Sequence, residues 1–278
     1  MKNILFLFSP HLERDYERFG IDTLKKNFKV KILDCTPWVQ KSYWELFSKD
    51  LYKSDESVTV KNREDFLQSI SELNNAFIIE NLPNNKDSNW MRKILKEKKC
   101  IFVSRNLNPV PELKRDVMQN IKNFFMLLIN LKKLLYISNQ FLQKKKANSI
   151  KSNCEIFIVG GLAPLKKIKK NNIIKAHNMD YDVYLNIKDK KKLDISKPYA
   201  VFLDQDMLTH PDPILLGEDC EINEFQYYDV LTKFLKKFEI DTKLKIIVAI
   251  HPKSKNKNLQ NLLKGIEFSF DDSPDLVK

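Results

Sequence analysis

The sequence contains little glycine and little cysteine. Five glycines occur among 278 residues, and no GxGxxG, GxxxxGKS/T, GxSxG or HExxH stretch is present. These absences argue against P-loop nucleotide hydrolases, serine esterases and zinc peptidases. The four cysteines lie far apart without a CxxC pair, which argues against zinc and disulfide frameworks and favours reduced thiols in the cytoplasm. We expect neither a bound metal nor a cofactor.

Arginine is also scarce. The chain has 48 basic and 36 acidic residues and a formal net charge of +12, but only six of the basic residues are arginine. Proteins that read nucleic acids favour arginine, because its planar fork binds phosphates and base edges at two points. A lysine-rich and asparagine-rich chain is instead what an AT-rich coding bias produces. We therefore expect no nucleic-acid partner.

Long hydrophobic runs are absent as well. No apolar stretch reaches the ~18 residues of a membrane-spanning helix, and the first run, Ile4 to Phe8, is too short for a signal sequence. One segment, Lys114 to Lys151, carries nine basic residues and one acid around FFMLLINLKKLLYI. It fits either a long helix that covers a core or a helix on an anionic membrane surface. We expect a cytoplasmic protein or one peripheral to the inner membrane.

Short apolar runs alternate with helical patterns through the first two thirds of the chain. This alternation predicts a parallel sheet with helices on both faces, formed by residues 1–190. The helical stretches are Tyr16 to Phe28 and Phe66 to Leu73. The predicted strands are Ile4 to Phe8, Val30 to Leu33, Ala76 to Ile79, Ile101 to Val103 and Ile156 to Val159.

The pattern restarts after a charged stretch that ends in Lys197-Pro198. Strands are predicted at Tyr199 to Leu203, Ile246 to Ile250 and Ile266 to Phe270, with helices at Glu224 to Phe238 and Leu259 to Leu263. The fold class is therefore α/β with two Rossmann-like domains, the second formed by residues 197–278. Three strands make a thin sheet, so we expect this second domain to be truncated, or its cover to come from the first domain or a partner.

Ligands of open α/β sheets bind outside the carboxyl ends of the strands, so the residues that follow each strand are candidates for a site. In IVAIHPKS, the strand leads to His251 and Pro252, which lacks an N–H and ends the ladder. Lys253 and Ser254 follow with an ammonium and a hydroxyl group. Together with the imidazole they suit the oxygens of a phosphate or diphosphate.

A second candidate lies in VFLDQDMLTHPD. Asp204 and Asp206 follow a strand and His210 comes four residues later. Such an Asp-x-Asp pair either holds Mg²⁺ or Mn²⁺ against a nucleotide diphosphate or solvates a loop. A similar pair, Asp180 and Asp182, lies in AHNMDYDVYL, where the alternation of apolar residues predicts a strand with its acids on the wet side.

The remaining candidates follow strands of the first domain. Ser9 and His11 come after the first strand and Gly160-Gly161 after the fifth. Paired glycines permit a tight turn in which the backbone approaches a ligand closely.

Several of these stretches together resemble a known family. In sequence order they are GGL, AHNMDYDVYL, VFLDQDMLTHPD and KIIVAIHPKS. They resemble bacterial surface-polysaccharide glycosyltransferases of the two-domain GT-B type, as in lipopolysaccharide and capsule synthesis. The His-Pro element also resembles that of some sialyltransferases. The resemblance covers about residues 155 to 277, and relatives continue past a segment like DSPDLVK with a helix that completes the donor pocket.

The resemblance implies a nucleotide-sugar donor on the second domain, a glycan or lipid-linked acceptor on the first, and catalysis between them. His251 and Pro252 would contact the donor, with Lys253, Ser254, Gly160 and Gly161 also on the donor side. Asp206 or His210 would be the base, beside Asp204, while Ser9 and His11 compete for this role from the acceptor side. Transferases of this type use side chains and helix dipoles in place of a metal, so we expect metal independence.

Three alternatives remain open at this point. The first is a metal-dependent GT-A transferase with Asp204 and Asp206 as the cation site. The second is a nucleotide-sugar epimerase, which requires no acceptor. The third is a non-catalytic protein, either a truncated remnant or a scaffold on a membrane surface.

Overall fold

The structure of the chain is a computed structural model. It describes residues 2–107, 131–151, 156–161, 172–178, 180–188, 198–205, 208, 223–251 and 259–269. The chain forms two compact units, unit 1 (Met1–Asp180) and unit 2 (Tyr181–Lys278), each with its own parallel sheet. The predicted fold class, α/β with two Rossmann-like sheets of which the second is smaller, is confirmed. The predicted domain limits of 190 and 197 stay predictions, because residues 189–197 lie outside the described ones.

Unit 1 contains a seven-stranded sheet of order β3-β2-β1-β4-β5-β6-β7. Its strands are β1 (Asn3–Phe8), β2 (Lys29–Asp34), β3 (Ser57–Thr59), β4 (Phe77–Asn81), β5 (Ile101–Asn106), β6 (Ile156–Gly160) and β7 (Ile173–Ala176). Its helices are α1 (Glu13–Arg18), α2 (Ile21–Lys25), α3 (Thr36–Val39), α4 (Lys41–Phe47), α5 (Arg63–Ser69), α6 (Lys86–Glu97) and α7 (Leu131–Lys151), and a 3₁₀ turn spans Ser48–Asp50.

The central strand β1 is buried on both faces. Leu5 and Leu7 pack into one cluster with side chains of α5 and α6. Phe6 and Phe8 point to the opposite face, where they pack with residues of α1, α2 and β2. Successive side chains of a strand point to opposite faces, so a run of apolar residues is the pattern expected of a strand covered by helices on both sides.

Two predicted helices of unit 1 compare differently with the structure. The stretch Tyr16 to Phe28, predicted as one helix, contains α1 and α2 separated at Gly20, whose φ of 58° is left-handed. Glycine adopts this conformation without strain, so the chain turns there and starts a new helix. Of the predicted basic helix Lys114 to Lys151, the part from Leu131 is α7, while residues 114–130 lie outside the described ones. Among the described residues, no helix is long and apolar enough to cross a membrane.

Unit 2 contains a three-stranded parallel sheet of order β10-β9-β8. The strands are β8 (Tyr199–Leu203), β9 (Lys245–Ala249) and β10 (Glu267–Ser269), and the helices are α8 (Asp180–Ile187), α9 (Glu224–Thr242) and α10 (Leu259–Leu262). Ile246 and Val248 of β9 pack against Tyr228 and Leu235 of α9.

The predicted strand in AHNMDYDVYL is wrong, because Asp180–Ile187 is helix α8. The rings of Tyr181 and Tyr184 stack with centroids 5.9 Å apart, as expected for side chains three residues apart on a helix. An alternation of apolar residues over only five positions fits a helical turn as well as a strand. Tyr181, the first residue of the alternation, is exposed, so the alternation does not begin on a buried face.

Candidate functional site

The order of the unit 1 sheet places a crevice beside β1. The chain runs from β1 to β2 and β3 on one side and returns to β4 on the other, so the sheet changes direction between β1 and β4. The loops leaving the two strands then diverge, and ligands of open α/β sheets bind at such switch points. Ser9 and His11 directly follow β1, so the structure places both at this position.

Both side chains are buried within unit 1. The Ser9 hydroxyl donates a 2.6 Å hydrogen bond to the Gln40 side-chain oxygen. The His11 ring is fully buried, stacks on Phe8 with centroids 5.2 Å apart and meets the edge of Tyr52 at 5.6 Å. Neither ring nitrogen makes a hydrogen bond, although the nearby main chain of Tyr52 favours the charged ring. Burial outweighs that effect and lowers the pKa of His11 to about 4, so the ring is neutral at pH 7.

The end of β2 carries a carboxylate that the sequence analysis missed. Asp34 is buried, and its Oδ1 accepts hydrogen bonds from the Thr36 amide at 3.1 Å and from the Thr36 hydroxyl. Burial raises the pKa of Asp34, while the two hydrogen bonds from Thr36 oppose that rise. The signal in the sequence was an aspartate directly after a strand, the same signal that identified Asp204.

Two arginines, Arg92 of α6 and Arg105 of β5, lie beside the end of β4 and were also missed. The Nε of Arg92 donates to both carboxylate oxygens of Glu80 at 2.9 and 3.0 Å, and Arg92 is fully buried. Arg105 donates to the Glu80 carbonyl at 3.3 Å and lies 4.1 Å from the centre of the Phe19 ring. Burial lowers the pKa of Arg105 to about 10. The two arginines surround one residue at the end of β4.

The paired glycines lie where the chain leaves β6. A Cβ at Gly160 would lie 2.7 Å from the carbonyl oxygen of Leu107, and Gly161 has a φ of 71°. Glycine at 160 is therefore required by the close approach of a main-chain oxygen of unit 1, and glycine at 161 by the left-handed turn. The predicted approach of a ligand to these residues stays a prediction.

Two predicted residues lie at the carboxyl edge of the unit 2 sheet. Leu203 pairs with Ala249, and the Asp204 amide donates to the Ala249 carbonyl at 2.9 Å. Asp204 thus follows β8 level with Ile250, and His251 comes one residue later at the end of the neighbouring strand. Asp204 is buried and His251 is half-buried. The other candidates of this region, Asp206, His210, Pro252, Lys253 and Ser254, lie outside the described residues.

The described residues contain no group of three or more His, Cys, Asp or Glu side chains that could hold a metal ion. Cys35 and Cys100 are buried free thiols. Burial raises the pKa of the Cys35 thiol well above its usual range, which makes this cysteine unreactive. Cys154 and Cys220 lie outside the described residues.

Comparison with known proteins yields weak structural similarity. No family model and no curated protein matches the sequence. Among solved structures, the chain is similar to UDP-N-acetylglucosamine 2-epimerase from Rickettsia bellii, with 11% identity and a TM-score of 0.43. The match covers 97% of this chain and 68% of that one. A similarity at this level assigns neither a family nor an activity.

Proposed function

We propose that the chain is a glycosyltransferase that moves a sugar from a nucleotide-sugar donor to a surface-polysaccharide or lipid-linked acceptor. The observation that carries this proposal is the position of Asp204 and His251 at neighbouring strand ends of the unit 2 sheet. A carboxylate and an imidazole at one carboxyl edge suit a polar ligand that has both hydroxyl and phosphate groups. The sequence resemblance over residues 155 to 277 supports the same activity.

In this proposal, unit 2 binds the donor and carries the chemistry. His251 donates a hydrogen bond to the diphosphate or phosphate that leaves, assisted by the Lys253 ammonium and the Ser254 hydroxyl, and so stabilises the developing negative charge. Asp206 or His210, which follow Asp204 in the sequence, takes the proton of the attacking acceptor hydroxyl. Asp204 supports that base from the strand end.

Unit 1 would then bind the acceptor at the crevice after β1. Ser9 lies there, but its hydroxyl already donates to Gln40, so it contributes mainly as a hydrogen-bond acceptor. His11 is buried against Phe8 and Tyr52. In this proposal it does not contact the acceptor, and its packing holds the turn after β1 in place. A lipid-linked acceptor would bring the protein to a membrane surface. The exposed Phe141 and Leu142 of α7 support such a contact.

The test is an assay of donor consumption by the full chain. The purified protein is incubated with UDP-, GDP- and CMP-sugars, with and without EDTA, and the products are identified by mass spectrometry and NMR. We expect cleavage of one donor in the presence of EDTA, reduced about 10²-fold or more in His251→Ala because a stabilising donor is lost. The exposed His177, in unit 1, provides the matched control His177→Ala, which should leave the rate unchanged.

The other outcomes identify the alternatives. Activity that EDTA abolishes would favour the metal-dependent transferase with Asp204 and Asp206 as ligands. An epimerised sugar nucleotide formed without an acceptor would favour the epimerase. If no nucleotide sugar binds or reacts, the proposal is wrong.

A further inference from the structure

A groove in unit 1, away from the residues discussed so far, is lined mainly by cations. It lies between α6 and α7, beside the start of α5, and has a volume of about 830 Å³. This volume is within the usual range of sites for small ligands, ~300–1,000 Å³. Its charged lining consists of Arg63, Lys86, Lys93, Lys96, Lys146 and Glu97.

The sequence of α6 arranges these cations in a line. Lys86, Trp90 and Lys93 are four and then three residues apart, so they lie on one face of the helix, and Lys96 continues it. At 1.5 Å per residue, Lys86 and Lys96 are ~15 Å apart along the helix axis. Lys146 lies on the facing helix α7. The groove is therefore a linear track with positive charges on both sides.

A hydrogen-bond network fixes the two helices that form the groove. The Asn89 amide donates to the carbonyl and the side-chain oxygen of Gln143 on α7, at 3.1 and 3.0 Å. Asn89 in turn accepts a 2.8 Å hydrogen bond from the buried Arg92. Ala147 is fully buried on α7. The floor of the groove is thus connected to the Arg92–Glu80 ion pair of the core and is formed before any ligand binds.

The positive charge of the groove is only partly neutralised. Lys93 lies 3.8 Å from Glu97, and Arg63 lies 3.8 Å from Asp87. Within the described part of the chain, Lys86, Lys96 and Lys146 make no ion pair, and all three are exposed. Like charges along one helix face repel each other, so an anion that binds there relieves this repulsion.

We propose that this groove binds an acidic oligosaccharide, a sugar chain that carries carboxylate or phosphate groups. The ammonium groups would pair with the anionic groups along the track. The side-chain amide of Gln143 lies within the groove, where it would form hydrogen bonds with the sugar hydroxyls. The binding itself is independent of the proposed transferase activity. Only the further step, that the bound chain is the acceptor, rests on the proposed function.

The same features argue against nucleic acid and a membrane as the ligand. Single strands bind by stacking bases on open aromatic rings, but Trp90 is covered by the Arg63 guanidinium, 4.9 Å from the ring centre, and contacts Trp38 and Phe66. Four of the five cations are lysines, which bind as point charges without the planar fork that reads bases. A concave groove between two helices also does not match the flat surface of a bilayer.

The experiment measures binding to the full chain by calorimetry at low and at physiological salt, without any donor. The probes are hexagalacturonate, the neutral maltohexaose, a single-stranded DNA hexamer and vesicles of anionic phospholipid. The test variant is Lys86→Gln/Lys93→Gln/Lys96→Gln. The control is Lys26→Gln/Lys29→Gln/Lys53→Gln, which removes the same charge from exposed positions of unit 1 outside the groove.

We expect hexagalacturonate to bind in a salt-dependent manner and maltohexaose not to bind. The groove variant should weaken binding about 10-fold, since each exposed charge pair contributes ~0.5 kcal/mol, while the control changes it less than about 2-fold. Glu97→Gln, which removes the one acid of the lining, should strengthen binding. Equal effects of the two triple variants, no binding of hexagalacturonate, or tighter binding of DNA or vesicles through the same lysines would overturn the proposal. None of these results depends on whether the chain transfers sugars.

Discussion

The two units differ in how they use the polar residues at the ends of their strands. In unit 1, three polar side chains at or next to strand ends have partners within the unit: Ser9 bonds to Gln40, Asp34 to Thr36 and Glu80 to Arg92. In unit 2, Asp204 and His251 follow adjacent strands, and Asp204 is buried while His251 is half-buried. The two sheets thus differ in which polar residues stand at their carboxyl edges.

A residue is therefore not identified as a binding residue by its position at the carboxyl edge of a sheet alone. A buried polar group must be hydrogen-bonded, and the bonds that satisfy it also fix the loops around it. These bonds fix the loops at the edge of unit 1, while the proposal that unit 2 binds the donor rests on the sequence resemblance over residues 155 to 277. Each prediction below tests one side of this contrast.

The largest effect is expected for the buried ion pair of unit 1. Arg92→Ala leaves the Glu80 carboxylate, whose side chain is 6% exposed, without its charge partner, and should lower the free energy of unfolding by about 3–5 kcal/mol. The matched change in unit 2 is Lys245→Ala, which breaks the pair with Glu267 between β9 and β10. Those side chains are 55% and 50% exposed, so the cost should be below about 1 kcal/mol.

Urea unfolding combined with hydrogen exchange measures the loss of stability in each unit separately. Arg92→Ala should lose protection in β1 and β4 and keep it in β9. The double variant Arg92→Met/Glu80→Leu should recover most of the stability, because both charges are then removed. Equal losses for Arg92→Ala and Lys245→Ala would contradict the contrast between the units.

A second, smaller effect is the decrease in the free energy of unfolding that the buried His11 causes at acidic pH. Above pH 6.5 the ring is neutral in the folded and the unfolded chain, so it adds no pH dependence. Between pH 6.5 and about 4 the unfolded chain takes up a proton that the buried ring does not, so the free energy of unfolding falls as the pH falls. The total loss is at most about 3 kcal/mol, and below pH 4 this slope disappears.

His11→Phe should remove this component and retain the stability of the parent at pH 7, because neither ring nitrogen makes a hydrogen bond and Phe8 and Tyr52 form an aromatic surrounding. The measurement is chemical unfolding at several pH values between 4 and 7. His177→Phe, at an exposed site, should leave the slope unchanged. A His11→Phe protein with the pH slope of the parent would show that the buried ring is not its source.

The smallest effects are expected at two helix N-caps. Asn223 caps α9 in unit 2 by accepting from the Gln226 amide at 3.1 Å, so Asn223→Ala should cost about 1 kcal/mol. Asn85 caps α6 in the same way and also donates to the Val39 carbonyl at 3.0 Å. Asn85→Ala should therefore cost about 2 kcal/mol, because a second group loses its partner. Equal costs in urea unfolding would mean that the second bond of Asn85 adds nothing.

The strands could be predicted where they form dense runs of apolar residues. Ile4 to Phe8 and Tyr199 to Leu203 are dense apolar runs, and both lie in strands with nearly the same limits. The strands β3 and β7 were missed because they are short edge strands with largely exposed side chains, so no apolar pattern distinguishes them. Helix α6 was missed although Asn85 provides a capping residue and Met91 and Leu95 have helical spacing.

For the candidate site, the sequence predicted only which residues lie at strand ends. Asp204 and His251 were found because parallel strands share one carboxyl edge, a rule that needs no side-chain geometry. Arg92 and Glu80 were not, since a charge becomes buried only when the tertiary fold brings its partner from another element. The burial that keeps His11 neutral likewise depends on residues from other elements, such as Tyr52, whose ring packs against it. Local patterns therefore identify strand ends but not what each polar residue there contacts.

We propose that the carboxyl edge of unit 2, and not that of unit 1, binds the nucleotide sugar. This proposal is tested most directly by mapping hydrogen exchange of the full chain with and without the donor that binds. The account predicts new protection in peptides that contain the residues after β8 and β9, around Asp204 and His251, and its loss in His251→Ala. Protection confined to the residues after β1 and β2, or no protection at either edge, would contradict it.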